Sequence, residues 1–344
     1  MDSVGLAVAG DGLLNHIVRI RDRPVRRIPV FEDPTSSSGG LARMFIGSTR
    51  IADTFAEAFR LQFARLVVTA HDAHWLAAAT QSVCGYGTSV IGCDAEVGLE
   101  QTLTSAETPD HRPGAAVMLF AFSTAGLAKA VARRVAQCLL TCPTTAVFDG
   151  LPSASERVPL GGHVRYFGDR YEKSRVLGGR HYWRVPVMDG EFLIEETAGV
   201  ETGVGGGNFL IQGENLDVTL AAARRGVAAI AKLAGVITPF PGGAVRSGSK
   251  VGSKYAALRA STNEAFCPSL VGRVATELHP DASTCIEVVI DGETEAAVAQ
   301  AITAGIRAAA GSGIPEIAAG HYGGKLGTFH FRLHDLLGDQ ALRS

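Results

Sequence analysis

The sequence lacks an excess of charge of either sign. Its formal net charge is −2, with 19% charged residues, which argues against nucleic acid or an anionic membrane surface as the main partner. No apolar run reaches the length needed to cross a bilayer. The opening residues, MDSVGLAVAG, contain an acid and no basic region, so they are not read as a secretory signal. Six cysteines (Cys84, Cys93, Cys138, Cys142, Cys267 and Cys285) include no C-x-x-C pair. A reducing, cytoplasmic compartment without a structural zinc is therefore expected. Nucleotide and hydrolase signatures are missing too. GVGGGNF (203–209) lacks the last glycine of G-x-G-x-x-G and precedes a strand. GSKVGSK and GHYGGKLG have no Gly-Lys-Ser/Thr at P-loop spacing, and no G-x-S-x-G elbow occurs. These glycine stretches are read as turns and sheet corners.

What is present is a large apolar fraction, 46% of 344 residues, enough for two ordinary domains with a substantial core. Glycine is abundant at 41 residues, which suits tight turns and close backbone approach to ligands. The segment RIRDRPVRRIPVFEDPTSSSGG carries five arginines between 19 and 27, then Pro, Ser and Gly. Residues 1–45 are thus expected to be an extension, either an appendage or a basic arm that docks on a partner. An internal Met44 follows, and core-like sequence begins at about Ile46.

From residue 65 the hydrophobic period switches repeatedly. RLVVTA, GTSVIGC, GAAVMLFAF and TTAVFD read as strands. HDAHWLAAATQSV and GLAKAVARRVAQCLL read as helices, with Leu76, Ala79, Thr80 and Val83 on one face and Leu127, Val131, Val135 and Cys138 on another. The second half repeats the order. NFLIQGE, GVITPFP, CIEVVI, IPEIAAG and GTFHFRLHDL are strand-like. The intervening helices present Leu220, Ala223, Val227 and Ile230, then Val298, Ile302, Ile306 and Ala309. Each half is β-α-β-β-α-β, the order of a ferredoxin-like domain. The expected fold is therefore α/β (α+β) with duplicated ferredoxin-like lobes, 46–188 and 189–344. Between them, HVRYFGD, RHYWRVPVM and GEFLIEET read as hairpin strands.

Two histidine pairs, His71/His74 and His330/His334, have spacings a metal could use, but neither has a third ligand nearby. Helix capping and surface packing are the preferred readings, and no metal site is expected. The densest polar stretch is the loop 238–268, too long for a plain connection and rich in Gly, Ser, Lys and Arg. It suits a carboxylate- or phosphate-binding loop, or a solvated basic loop. CIEVVI is apolar on both faces, yet Glu287 sits at its centre. A carboxyl there has three readings: an acid–base group with a raised pKa, a structural ion pair, or an edge-strand residue in water.

Ten motifs, in order, resemble one family. They are DTFAEAF (53–59), GTSVIGCDAEVGLE (87–100), ETPDHRPG (107–114), FGDRY (167–171), GVGGGNF (203–209), PFPGG (239–243), SKVGSKY (249–255), ASTNEAFCP (260–268), GHYGGKLG (320–327) and LHDL (333–336). Over about Ile51 to Leu337 the chain is similar to formylmethanofuran:tetrahydromethanopterin formyltransferases, which begin close to DTFAEAF, so the resemblance makes Met44 a plausible start. The resemblance implies a duplicated ferredoxin-like subunit in a homotetramer. It also implies formyl transfer between the amine of methanofuran and a pterin nitrogen of tetrahydromethanopterin, the two acting as carrier substrates with no tightly bound cofactor. The family's acid–base glutamate maps onto Glu287. Expected substrate contacts are Phe240, Pro241, Gly242, Gly243, Ser247, Ser249, Lys250, Lys254, Ser261, Thr262, Asn263 and Lys325. The lysines would meet anionic carrier tails, and the PFPGG backbone with Ser247 or Ser249 would meet the oxyanion. The mildly acidic composition leans toward bacterial one-carbon oxidation, where the family member is a subunit of a formyltransferase/hydrolase complex. A non-catalytic scaffold subunit of such a complex and a pterin-binding sensor are the other two readings.

Overall fold

Two long strands organise the protein. In the computed structural model, which describes residues 43–338, β3 (Phe55–Thr69) and β11 (Thr197–Gly213) each change partners along their length. Three strands precede or flank this frame: β1 (Met44–Ile46), β2 (Thr49–Ile51) and, later, β7 (Glu156–Pro159). β11 pairs first with β7, then crosses β3 antiparallel from Glu201↔Phe63 to Gly205↔Phe59. Beyond the crossing it joins other strands, with a register shift between Val204 and Gly207. The run of glycines lies at this crossing. A Cβ at Gly205 would sit 2.3 Å from Leu61, one at Gly207 would sit 2.4 Å from Val298, and Gly206 has φ +87°. The GVGGG stretch is therefore a bulge inside a strand, where two backbones and a helix approach too closely for side chains.

Each end of this frame carries one lobe. In the first, β3 leads to α1 (Ala73–Cys84), β4 (Glu96–Leu103), β5 (Gly114–Ala121), α2 (Thr124–Arg134) and β6 (Ala146–Asp149). The sheet runs β4-β5-β3-β6. In the second, β11 leads to α4 (Leu216–Ile230), β12 (Val236–Ile237), β15 (Thr284–Gly292), α5 (Glu295–Ala309) and β16 (Glu316–Ala318), with sheet order β12-β15-β11-β16. In both, the strands fall in the order second, third, first, fourth. That is a duplicated ferredoxin-like α/β fold.

The helices start where their sequences supply caps. Asp72 accepts the His74 and Trp75 N–H groups, and Ser123, Asn215 and Thr294 cap the other three long helices. Leu76, Ala79, Thr80 and Val83 are buried, as are Val298, Ile302, Ile306 and Ala309. The face expected on α4 needs correction. Leu220 is exposed, and Thr219, Ala222, Ala223, Gly226 and Ile230 are buried instead. The reason is close helix packing: a Cβ at Gly226 would lie 3.2 Å from the Gly305 carbonyl of α5, so small residues face the contact.

Three other expectations are corrected. GTSVIGC forms turns, and the strand begins at Glu96. The Gly92 and Cys93 N–H groups bond to the Ser89 carbonyl, and Val90 N–H bonds to the Glu96 carboxyl, so local turns take the donors a ladder would need. HVRYFGD belongs to a one-turn helix, α3 (Gly161–Val164), and a 3-10 turn ending at Asp169 with φ +49°. LHDL is helical: the strand β17 (Phe329–Arg332) stops before α6 (Leu333–Gly338). β8 (Lys173–Leu177), β9 (Arg180–Val187) and β10 (Gly190–Glu195) extend the first lobe beyond β6. Met188 lies in the β9–β10 turn. Of the expected extension 1–45, residues 1–42 with the basic arm lie outside the described residues, while Met44 and Phe45 belong to β1, paired with β2, and Met44 packs on the second-lobe core.

Candidate active site

β15 has two unlike faces. Ile286, Val288 and Ile290 pack into the core against Ile302 and Ile306 of α5. Cys285, Glu287 and Val289 point the other way, where Cys285 packs beside Ala265 and Phe266 of the 238–268 loop and Glu287 lies beside Gly248. Strand alternation separates the two sets, as the sequence predicts. β15 is not an edge: Glu287 stands opposite Leu210 of β11, and on its other side its backbone exchanges both hydrogen bonds with Val245, at 2.8 and 2.9 Å.

The loop folds back over this carboxyl. Gly248, with φ +56°, packs so tightly on Asn263 that a Cβ there would lie 2.8 Å from Asn263 Cβ, and that Cβ would stand at ordinary contact distance, 3.8 Å, from Glu287 Oε2. The loop's two limbs are tied by β13 (Lys250–Val251) against β14 (Ala260–Ser261). Further ties are Thr262 Oγ1 to the Ser247 carbonyl (2.8 Å), Asn263 N–H to the same carbonyl (3.3 Å), and Ser261 Oγ to the Gly252 carbonyl (2.8 Å). Glu287 keeps partial exposure, but the protein packed around it desolvates the carboxyl and raises its pKa to about 7.

The other expected contacts divide. Ser249 reaches Tyr322, with 3.1 Å between the two hydroxyl oxygens. Lys250 is paired with Glu264. Lys254 and Lys325 are exposed. Phe240, Pro241, Gly242 and Gly243 form a tight turn whose Gly243 and Ala244 N–H groups bond to the Phe240 and Pro241 carbonyls. Gly243 packs against Val227 and Thr238, on the α4 side. Of the PFPGG amides expected to meet an oxyanion, that of Gly243 is thus already engaged.

Further along the same face of β15, Asp291 meets Glu96 of β4, both buried. Asp291 Oδ1 accepts Gly206 N–H at 2.9 Å, while Oδ2 has no donor in the ionised form. Two carboxyls in contact cannot both ionise cheaply. Burial, then the neighbouring carboxyl, drives Glu96 well up, and burial raises Asp291 to about 6. The pair shares a proton across the two lobes.

Sequence reasoning passed over Glu57, Tyr322, Glu96 and Asp291. Glu57 had the same signal as Glu287, an acid in an apolar strand. Among the described residues no three His, Cys, Asp or Glu side chains gather as metal ligands would. His334 Nε2 lies 3.0 Å from the Ile51 carbonyl, and His330 stands edge-on to Phe55.

Two family models match the chain. One, described as formylmethanofuran-tetrahydromethanopterin formyltransferase, covers residues 44–187, and one described as the proximal lobe of the same protein covers 190–336. The chain belongs to the formylmethanofuran–tetrahydromethanopterin formyltransferase family. A relative of that name from Methylococcus capsulatus is 51% identical over 298 residues, 86% of this chain and 100% of the relative. The solved formyltransferase of Methanosarcina barkeri superposes with a TM-score of 0.81 at 44% identity, over 85% of this chain and 100% of that one. A chain of the formyltransferase/hydrolase complex from Methylorubrum extorquens, solved with methylofuran, gives 0.82 at 44% identity, over 85% and 98%.

Proposed function

We propose that this chain transfers a formyl group between formylmethanofuran and tetrahydromethanopterin, with Glu287 as the acid–base group. The observation that carries the role is the desolvated carboxyl under Gly248, whose pKa of about 7 leaves it partly protonated and partly ionised at neutral pH. Such a group can accept a proton and return it without a large penalty in either direction.

The step balances as follows. The acceptor nitrogen's lone pair forms a bond to the formyl carbon, and the carbonyl pair moves onto oxygen. Glu287 takes the proton that the attacking nitrogen sheds. The oxygen pair re-forms the carbonyl as the original N–C bond breaks, and Glu287 protonates the departing nitrogen. The 245–263 loop lies against the carboxyl and limits the access of bulk water. Lys254, exposed on the loop, and Lys325, exposed in the 320–327 segment, suit the anionic tails of the carriers, and Lys250 joins them when it leaves Glu264.

The same reading extends to a cytoplasmic homotetramer in one-carbon metabolism. The similarity to a chain of the Methylorubrum extorquens complex supports association with other subunits of a formyltransferase/hydrolase complex. Neither the scaffold nor the sensor reading accounts for an unpaired, desolvated carboxyl held beneath a built loop. The test is one assay of the purified chain with both carriers, following formyl transfer in each direction. Turnover by the isolated chain is expected. Pterin binding without turnover would replace the enzyme by a sensor, and transfer that appears only when other subunits supply a catalytic centre would replace it by a scaffold.

A further inference from the structure

The fully buried Glu57 of β3 is committed to the 320–327 segment. Its Oε2 accepts the N–H groups of Tyr322 and Gly324 at 2.6 and 2.8 Å, and its Oε1 those of Leu326 and Gly327 at 2.7 and 2.6 Å. Burial pushes the Glu57 pKa up, but the four amides outweigh it, and the carboxyl stays below its ordinary range. Asn208 of β11 holds the front of the segment: its Oδ1 accepts Gly320 N–H at 2.6 Å and its amide donates to the Gly320 carbonyl at 3.1 Å. The backbone on either side of Tyr322 is therefore anchored to both long strands.

What this anchoring presents is a phenol. The Tyr322 ring lies 5.9 Å from that of Phe59, and its hydroxyl meets Ser249, next in sequence to the glycine that covers Glu287. Burial, together with the nearby charges of Glu287, Glu57 and Glu96, raises the Tyr322 pKa, so the hydroxyl is a proton-bearing donor at neutral pH. Formyl transfer needs a donor at the oxygen where charge develops, and in the PFPGG turn the Gly243 amide is already spent on the Phe240 carbonyl.

We propose that Tyr322 is a catalytic residue, whose hydroxyl, held by Ser249 in the resting site, donates to the formyl oxygen as the tetrahedral intermediate forms, and that Glu57 is a positioning residue that acts by fixing the Tyr322 backbone. The donor keeps its proton throughout; the carbonyl pair moves onto oxygen and back, and proton exchange between the nitrogens stays with Glu287. This inference rests on the formyl-transfer reading.

The experiment compares wild type, Tyr322→Phe, Glu57→Gln and the double variant in the transfer assay from pH 5 to 9, with thermal melts alongside. Tyr322→Phe removes one oxygen and should melt near wild type. Its kcat should fall on the order of 10²-fold, the effect of losing one oxyanion donor, with KM for both carriers little changed and the ionisation near pH 7 retained. Glu57→Gln should lower kcat, and the double variant should be no slower than the slower single variant. An active wild type with an equally active Tyr322→Phe variant would overturn this inference alone. A wild type inactive with both carriers would overturn the functional reading and this inference with it. Multiplicative losses in the double variant would remove Glu57 from the Tyr322 pathway.

Discussion

β5 and β15 occupy the same place in the two lobes, the third strand of each motif, yet they have opposite characters. Every residue of β5 is buried and none is ionisable. On the face turned from its helices, Met118 and Phe120 pack with Leu61, Phe63 and Ile237. The corresponding face of β15 carries Glu287 and Asp291. What differs is the connection that precedes the strand. In the first lobe, residues 104–113 join β4 to β5; in the second, residues 238–283 separate β12 from β15. The longer connection folds against β15, with Val245 bonded to Glu287 and Gly248 beside its carboxyl, where the first lobe has core. The two lobes share a frame, and the longer connection of the second gives its third strand a polar face.

The largest expected effect comes from removing the acid that distinguishes the two strands. Glu287→Gln keeps the shape and loses the proton, so kcat should fall by about 10²–10⁴, and the ionisation near pH 7 should vanish from the kcat profile. Near-normal turnover would reduce Glu287 to a structural group. The converse change puts an acid into β5. Met118→Glu should destabilise by about 3–5 kcal/mol at neutral pH, the cost of an uncompensated buried charge, read as a lowered midpoint in denaturant. A tolerated glutamate there would mean that the first lobe also opens a polar face.

A smaller effect tests the shared-proton pair. Asp291 has a folded pKa raised to about 6 from an ordinary value of about 3.9. Its contribution to stability is therefore present at low pH and is lost as pH rises through that window. Asp291→Asn should raise Tm relative to wild type at pH 8 and leave it little changed at pH 4; the opposite pH trend would show that the ionised pair is favourable. The smallest effect belongs to the loop cations. Lys254→Ala should raise KM for one carrier about two- to fivefold, the range of an exposed charge contact, with kcat close to normal. Lys250→Ala should do less, because Glu264 already answers its charge. Added salt should weaken carrier binding in the same direction. A fall in kcat at constant KM would give these lysines a transition-state role.

Periodicity and caps were enough to order the elements, because each depends on neighbours within a few residues. An acid at the centre of CIEVVI was likewise visible without any partner. The sequence by itself thus determined two α/β halves of equal strand order, the absence of nucleotide and hydrolase signatures, and Glu287 as the residue to explain. Only the tertiary structure decided what each carboxylate became. Glu57 and Glu287 are both glutamates in apolar strands, yet four amides lying 265 to 270 positions away stabilise the charge of one, while desolvation beneath Gly248 raises the pKa of the other. The same holds for Tyr322 with Ser249 and for Glu96 with Asp291, pairs distant in sequence that meet only when β3 and β11 cross. A pKa is set by the dielectric and the donors around a group, and those come from chain segments that no local pattern brings together.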